Sequence, residues 1–227
     1  MIDLTFRDSP LISHDYLLGH IPLSVRILKR ASDILIASLI LIVSFPFWPI
    51  IALAIKLDSP GPVIFSQIRI GEILNNKTTL FKMMKFRSMR QDAELSTGPT
   101  LAKKNDVRVT RVGGFLRKFR FDEFPQLINV IMGDMSMIGP RPERPEFYPR
   151  LDMEIPFFSE RTLGLKPGIT GFSQAVQGYD TSLDDVRRKV GMDHAYAMRL
   201  HSVSSWIKTD LWVLWRTFLM VARRGGQ

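Results

Sequence analysis

The chain contains no cysteine, which excludes disulfides, thiolate nucleophiles and cysteine-held metals, and suits a reducing compartment. Its four histidines, His14, His20, His194 and His201, form no HExxH or similar metal-binding spacing. There is no GxxxxGK[ST] loop, and Gly113-Gly114 alone is no phosphate cradle. Acid is scarce relative to base. Against 31 lysines and arginines stand 22 aspartates and glutamates, a formal charge of +9 over 227 residues. Such a surplus calls for an anionic partner: nucleic acid, lipid headgroups or a phosphorylated substrate.

Charge is missing altogether between Asp33 and Lys56, where the sequence runs ILIASLILIVSFPFWPIIALAI. As a straight helix this run would be roughly 33 Å long, enough to cross a bilayer core. Pro46 and Pro49 lie past its middle and favour a kink. Basic residues flank both ends, Arg26, Lys29 and Arg30 before and Lys56 after, so neither end is driven out of the cytoplasm. The expectation is a broken, re-entrant helix returning to the face it entered. Ser44, one turn before the bend, is placed to bond backbone groups freed there. A spanning helix and a buried core helix are the alternatives. The preceding Met1–Leu23 reads as an irregular arm; it is no signal peptide, because its start is not basic and the apolar run comes later.

Most of the chemistry is concentrated between Arg111 and Glu143, RVGGFLRKFRFDEFPQLINVIMGDMSMIGPRPE. Asp122 and Glu123 directly follow a tract holding Arg108, Arg111, Arg117, Lys118 and Arg120. Phe124, Leu127, Ile128 and Ile131 fall at helical spacing and Gly133 supplies a stop. Asp122 is then the expected N-cap, with Pro125 in the first turn. Acids at a helix start are commonly mere caps. Among arginines they can also hold a divalent cation that bridges to a polyanion. Elsewhere, Pro60-Gly61-Pro62 marks a turn. Val63–Ile70 and Thr79–Met89 suggest strands, with Gln67 and Arg69 sharing one face and Lys85 and Arg87 another. Basic residues so placed are either a solvated face or an anion site. Gln91–Asp106 reads as a surface loop. The prolines of GPRPERPEFYP hold Arg141 on a stiff extended path. In LKPGITGFSQ, Gly168 and Gly171 permit close backbone approach to a ligand. From about Ser182 the chain looks helical; Trp206, Trp212 and Trp215 suit a helix lying in the headgroup layer or packed on the core.

Taken in order, KRASDILIAS, LDSPGPVIFSQIRIG, FKMMKFRSM, RVTRVGGFLRKFRFDEFPQLINVIMGDMSMIGPRPE and LKPGITGFSQ resemble the bacterial sugar transferase family of monotopic polyprenyl-phosphate phosphoglycosyl transferases. The likeness covers roughly residues 26–225 and is closest to the compact members, which lack extra membrane helices. It implies an enzyme that moves sugar-1-phosphate from a UDP-sugar to undecaprenyl phosphate, releasing UMP. It maps the family's nucleophile to Asp122, its Mg²⁺ ligand to Glu123, and its phosphate-holding arginines to Arg117 and Arg141. The membrane bend maps to Ser44–Pro46. Arg69, Lys85, Arg87, Gly168 and Thr170 are expected to bind substrate. Phe45 stands where the family has a serine beside the proline. Phe119-Arg120-Phe121 replaces the small residues usual before the dyad, and Ser173–Val176 replaces an Ala-Gln-Val-Asn run.

The expected fold is α+β and mainly helical. It is laid out as an arm (1–25), a re-entrant membrane helix (26–57), a cytosolic catalytic domain with a small β element (58–205) and an interfacial amphipathic helix (206–227). The expected setting is the cytoplasmic face of the bacterial inner membrane, with membrane lipids as partners and no nucleic acid. The rival reading is a non-catalytic, membrane-docked basic adaptor for anionic lipid or nucleic acid; a lipid phosphatase is a third. Plain polyanion binding gives no reason for acids inside the basic tract.

Overall fold

A computed structural model of the protein describes residues 21–74, 77–93, 98, 106–177 and 183–223. The expected N-terminal arm, but for its last residues, and most of the Gln91–Asp106 loop lie outside them. The apolar run is a helix, α1 (Leu23–Ser44), a single 3₁₀ turn (Phe45–Phe47) and a second helix, α2 (Trp48–Asp58). The break falls where the prolines put it. In a continuous α-helix the Phe45 carbonyl would await the N–H that Pro49 lacks; here the Trp48 N–H takes it in a tighter 3₁₀ bond. The Ser44 hydroxyl donates to the Leu41 carbonyl at 3.3 Å and accepts from Trp48 Nε1 at 3.4 Å. Phe45, in the family's serine position, is left exposed.

Both ends of this 36-residue segment are fastened to the same body. Near its start Arg30 donates to the carbonyls of Val130 and Ile131, the open C-terminal groups of α4 (Gln126–Met132), at 2.6 and 2.9 Å. Asp33, buried, accepts the Met137 N–H at 3.0 Å, and Lys29 pairs with Asp210 at 3.0 Å. At its far end Ile55 is buried against Phe86 and Leu116. Asp58 accepts the Val112 N–H at 2.8 Å, near the start of α3 (Arg111–Lys118). Between these anchors one face packs on the protein and the other is bare. Leu35, Leu39, Ile42, Val43, Ile50 and Leu53 are each more than half exposed, and removing each from water is worth about 1.5–3 kcal/mol.

The rest of the chain surrounds a core made by α1, α4 and a hairpin of antiparallel strands β1 (Ile64–Leu74) and β2 (Lys77–Phe86). Two further helices, α7 (Leu183–Arg199) and α8 (Val203–Ala222), complete it. Val25, Phe81, Val130, Tyr196 and Val213 meet there. A short parallel pair, β3 (Ser136–Ile138) and β4 (Gly168–Thr170), carries the Pro-Arg-Pro loop away from α4. Helices α5 (Tyr148–Glu154) and α6 (Phe172–Gln177) fill the intervening chain. The protein is α+β and mainly helical, as expected. Helix α8 packs one of its faces on the core and leaves the other apolar and exposed. Trp206, Thr209 and Val213 face inward, while Leu211, Trp212, Trp215 and Phe218 stay exposed on the other side.

Candidate active site

Asp122 is not the N-cap of α4; Pro125 is, and the dyad lies in a separate 3₁₀ turn, Phe121–Glu123. The cause is Arg120, whose left-handed backbone (φ 56°) ends α3 and starts that turn; its carbonyl accepts the Glu123 N–H at 3.1 Å. Gly133 supplies the expected stop with φ 97°. Two turns of opposite sense therefore aim the adjacent carboxylates into the protein, and both are buried.

Three cations converge on Glu123. Lys85 Nζ donates to Oε1 at 3.3 Å, Arg141 Nη1 stands 3.9 Å from the same oxygen, and Arg120 Nη1 is 3.6 Å from Oε2. Burial alone would raise the Glu123 pKa, but Lys85, Arg120 and Arg141 outweigh it and hold the carboxylate below its ordinary value. Asp122 is shifted the other way. Burial dominates and, with the Glu123 charge, raises its pKa against the pull of Lys85, Arg117 and Arg141. Neighbouring acids are thus shifted in opposite directions, Glu123 toward the anion and Asp122 toward the neutral acid. Burial also lowers the Lys85 pKa, with Glu123 resisting.

The supports are specific. Asn129 of α4, almost fully buried, accepts the Met84 N–H at 3.1 Å and donates to the Lys82 carbonyl at 2.9 Å. Its amide thus completes the open edge of β2 and sets the distance between Lys85 and the dyad. The Pro-Arg-Pro loop is gripped from two sides. Arg69 donates to the Pro142 carbonyl at 3.3 Å and to Gln67 at 2.7 Å; Arg161 donates to the Arg141 carbonyl at 2.5 Å. Arg161 is itself buried against Asp193 at 3.1 Å. Burial first, then Arg141 close by, pushes the Arg69 pKa down to about 10. The Arg141 side chain remains 40% exposed.

The structure gathers Asp122, Glu123, Arg117, Arg141, Lys85 and Arg69 into one place. Three expected substrate contacts it assigns elsewhere. Arg87 does not join Lys85: its guanidinium donates to the carbonyls of Pro60, Ser59 and Ile55 at 2.8, 2.6 and 3.3 Å, closing the end of α2. The Arg87 N–H still donates to the Val63 carbonyl at 2.8 Å, in register with the ladder, so it is the side chain, bonded to the end of α2, that parts Arg87 from Lys85. Gly168 makes its close approach to protein backbone, since a Cβ there would lie 2.2 Å from the Gly139 nitrogen. Thr170 is buried and shares a hydrogen bond with Thr217 of α8 at 2.8 Å. Arg120, Asn129, Arg161 and Asp193 were not foreseen as site residues. Only Arg120 left a signal, its place in the basic tract beside the acids.

A divalent cation fits the donor set. Glu123 Oε2 is buried and accepts no hydrogen bond. Asp122 accepts none from a described side chain. Mg²⁺ is commonly held by one or two carboxylates with phosphate oxygens and water completing its shell. Among the described residues no group of three ligating side chains exists, so a substrate would have to supply those oxygens.

A mainly helical α+β protein with an acid pair caged by guanidinium groups and an exposed apolar helix beside it is the class that fold and site define. Its sequence matches the bacterial sugar transferase family over residues 24–224, and the chain belongs to that family. It is 43% identical over 190 residues to a UDP-N-acetylgalactosamine-undecaprenyl-phosphate N-acetylgalactosaminephosphotransferase of Aeromonas hydrophila, covering 84% of this chain and 42% of that one. It is 44% identical over 173 residues to a UDP-glucose:undecaprenyl-phosphate glucose-1-phosphate transferase of Escherichia coli (strain K12), covering 75% of this chain and 36% of the relative. A protein of the same name from Caulobacter vibrioides is 36% identical over 212 residues, 90% of this chain and 71% of its own. The chain thus spans less than half the length of the first two.

Proposed function

We propose that the protein transfers a sugar-1-phosphate from a UDP-sugar to undecaprenyl phosphate, as the first membrane step of a surface glycan pathway. The observation that carries this is the burial of Asp122 and Glu123 among Lys85, Arg117, Arg120 and Arg141, next to an exposed apolar helix. An adaptor needs the cations but not the caged acids.

The reaction runs in two displacements. The Asp122 carboxylate attacks the phosphorus bonded to the sugar; the bond from that phosphorus to the bridging oxygen breaks, and UMP leaves with the oxygen. A phosphate oxygen of the lipid then attacks the same phosphorus, Asp122 is expelled as carboxylate, and a lipid diphosphosugar results. Arg141, half-buried on a rigidly mounted loop, and Arg117 hold phosphate oxygens as charge gathers on departing UMP. Lys85 and Arg120 keep Glu123 ionised. Glu123, with Asp122, would hold Mg²⁺, which when bound neutralises diphosphate charge and lets an anionic nucleophile approach. The apolar segment is proposed to enter the cytoplasmic leaflet and return, since both its ends are fastened to one body and one of its faces is apolar and exposed along its length. The site would then stand where a soluble nucleotide sugar meets a lipid phosphate.

The test is incubation of purified protein with UDP-sugar labelled in the sugar, without lipid acceptor. Labelled sugar phosphate should remain on the wild-type chain and be absent from Asp122→Asn, whose turnover with acceptor should fall by about 10³-fold or more. Equal labelling of the two would overturn Asp122 as nucleophile. A panel of UDP-sugars scored for UMP release identifies the donor, since the relatives' names differ in the sugar and share the nucleotide.

A further inference from the structure

The mechanism leaves the aromatic residues beside the dyad without a task. Phe115 and Phe119 of α3 have ring centroids 4.9 Å apart, Phe119 stacks on Phe121 at 5.8 Å, and Phe121 meets Phe124 at 5.1 Å. Phe121 and Phe124 immediately bracket Asp122 and Glu123 in the chain. Away from the dyad the same two rings pack with Trp48 and Ile51 of α2 around Ile55, Phe86 and Leu116. Trp48 in turn touches Phe45 at the bend, centroid to centroid 5.7 Å. An unbroken apolar seam therefore runs from the bend of the membrane segment to the carboxylates. Core packing accounts for its middle but not for its outer end, where Phe115 is 57% exposed.

The geometry points to this seam, at Phe115 and Phe119, as the seat of the first isoprene units of the lipid acceptor. The inference rests on the transferase reading and adds to it the subsite of one substrate. The occupant follows from two properties found together. The seam is continuous with the bare apolar surface of the hairpin, so what lies along it arrives from the lipid side. It also ends at cations: Arg117 and Arg120 alternate in sequence with Phe119 and Phe121, which offers an anionic head its partners where the apolar path stops. A long hydrocarbon chain ending in phosphate satisfies both. A nucleotide sugar, polar throughout, satisfies only the second.

The experiment measures KM for each substrate in detergent solution for wild type, Phe119→Ser and Phe115→Ser, with undecaprenyl phosphate and with the short, water-soluble geranyl phosphate. The expected result is a rise of about tenfold in KM for both acceptors, with KM for the UDP-sugar unchanged, which also certifies the fold of each variant. Co-sedimentation with vesicles of phosphatidylethanolamine and phosphatidylglycerol should stay at the wild-type level. Unchanged acceptor KM values would overturn the inference. So would weakened vesicle binding with an unchanged KM for geranyl phosphate, which would make the rings membrane anchors only. Absence of UMP release by the wild type with either acceptor is a different failure, that of the transferase reading itself.

Discussion

At the scale of single residues, the two acids differ more in surroundings than in position. Asp122, the proposed nucleophile, must be ionised to attack, and burial raises its pKa. The acid limb of kcat/KM for the UDP-sugar should therefore lie above the ordinary aspartate value of about 3.9. A limb at or below that value would contradict the raised carboxyl. Asn129 is a positioning residue. Asn129→Asp keeps an acceptor for the Met84 N–H but loses the donor to the Lys82 carbonyl and to Asp134, at 3.0 Å, and buries a new carboxylate against both, a cost above the roughly 1–3 kcal/mol of a neutral unpaired group. Denaturant unfolding should register that loss, and kcat/KM for the donor should fall with it as Lys85 drifts from Glu123. An unfolding midpoint equal to wild type would remove Asn129 from the account. The sequence made Asp122, Glu123 and the nearby arginines legible because acids within a basic tract stand out. It hid Asn129, Arg161 and Asp193, whose partners lie 45, 20 and 32 residues away and whose polarity looks unremarkable until the backbone is folded around them.

At the scale of elements, the broken apolar helix, α4, the helical C-terminal part and two strands near β1 and β2 were legible from periodicity, proline and glycine, whereas α3, α5 and α6 were not anticipated. Both prolines of the apolar run act at the bend, and Gly133 ends α4. Capping was misread because a sequence does not announce that Arg120 adopts a left-handed backbone. Without that reversal Asp122 would have capped α4 as expected. Alternation kept Arg87 in register, its N–H bonded to the Val63 carbonyl at 2.8 Å, but could not say what its guanidinium would meet. Arg87 is instead the bolt that holds the end of α2 to the strands, donating to three carbonyls. Arg87→Ala should lower unfolding stability by about 1–3 kcal/mol while leaving KM for the UDP-sugar unchanged in protein that remains folded. A selective rise in that KM with wild-type stability would restore Arg87 to the substrate site.

For the molecule as a whole, the disposition of the apolar segment relative to lipid is the property to measure, and a chain without cysteine is well suited to it. Single cysteines at Leu23 and Lys56, both exposed, should react with an impermeant maleimide from the same side of sealed membrane vesicles. Labelling from opposite sides would replace the proposed hairpin with a crossing helix. One carboxylate ties these parts together: Asp210 of α8 receives Lys29 of α1 at 3.0 Å, Tyr196 at 2.9 Å and Trp206 at 2.7 Å. Farther along α8, Met220 Sδ stands 4.0 Å from Arg120 beside the dyad. Helix α1 is thus latched to a residue 181 positions further along the chain, and a fragment lacking either partner leaves this junction open.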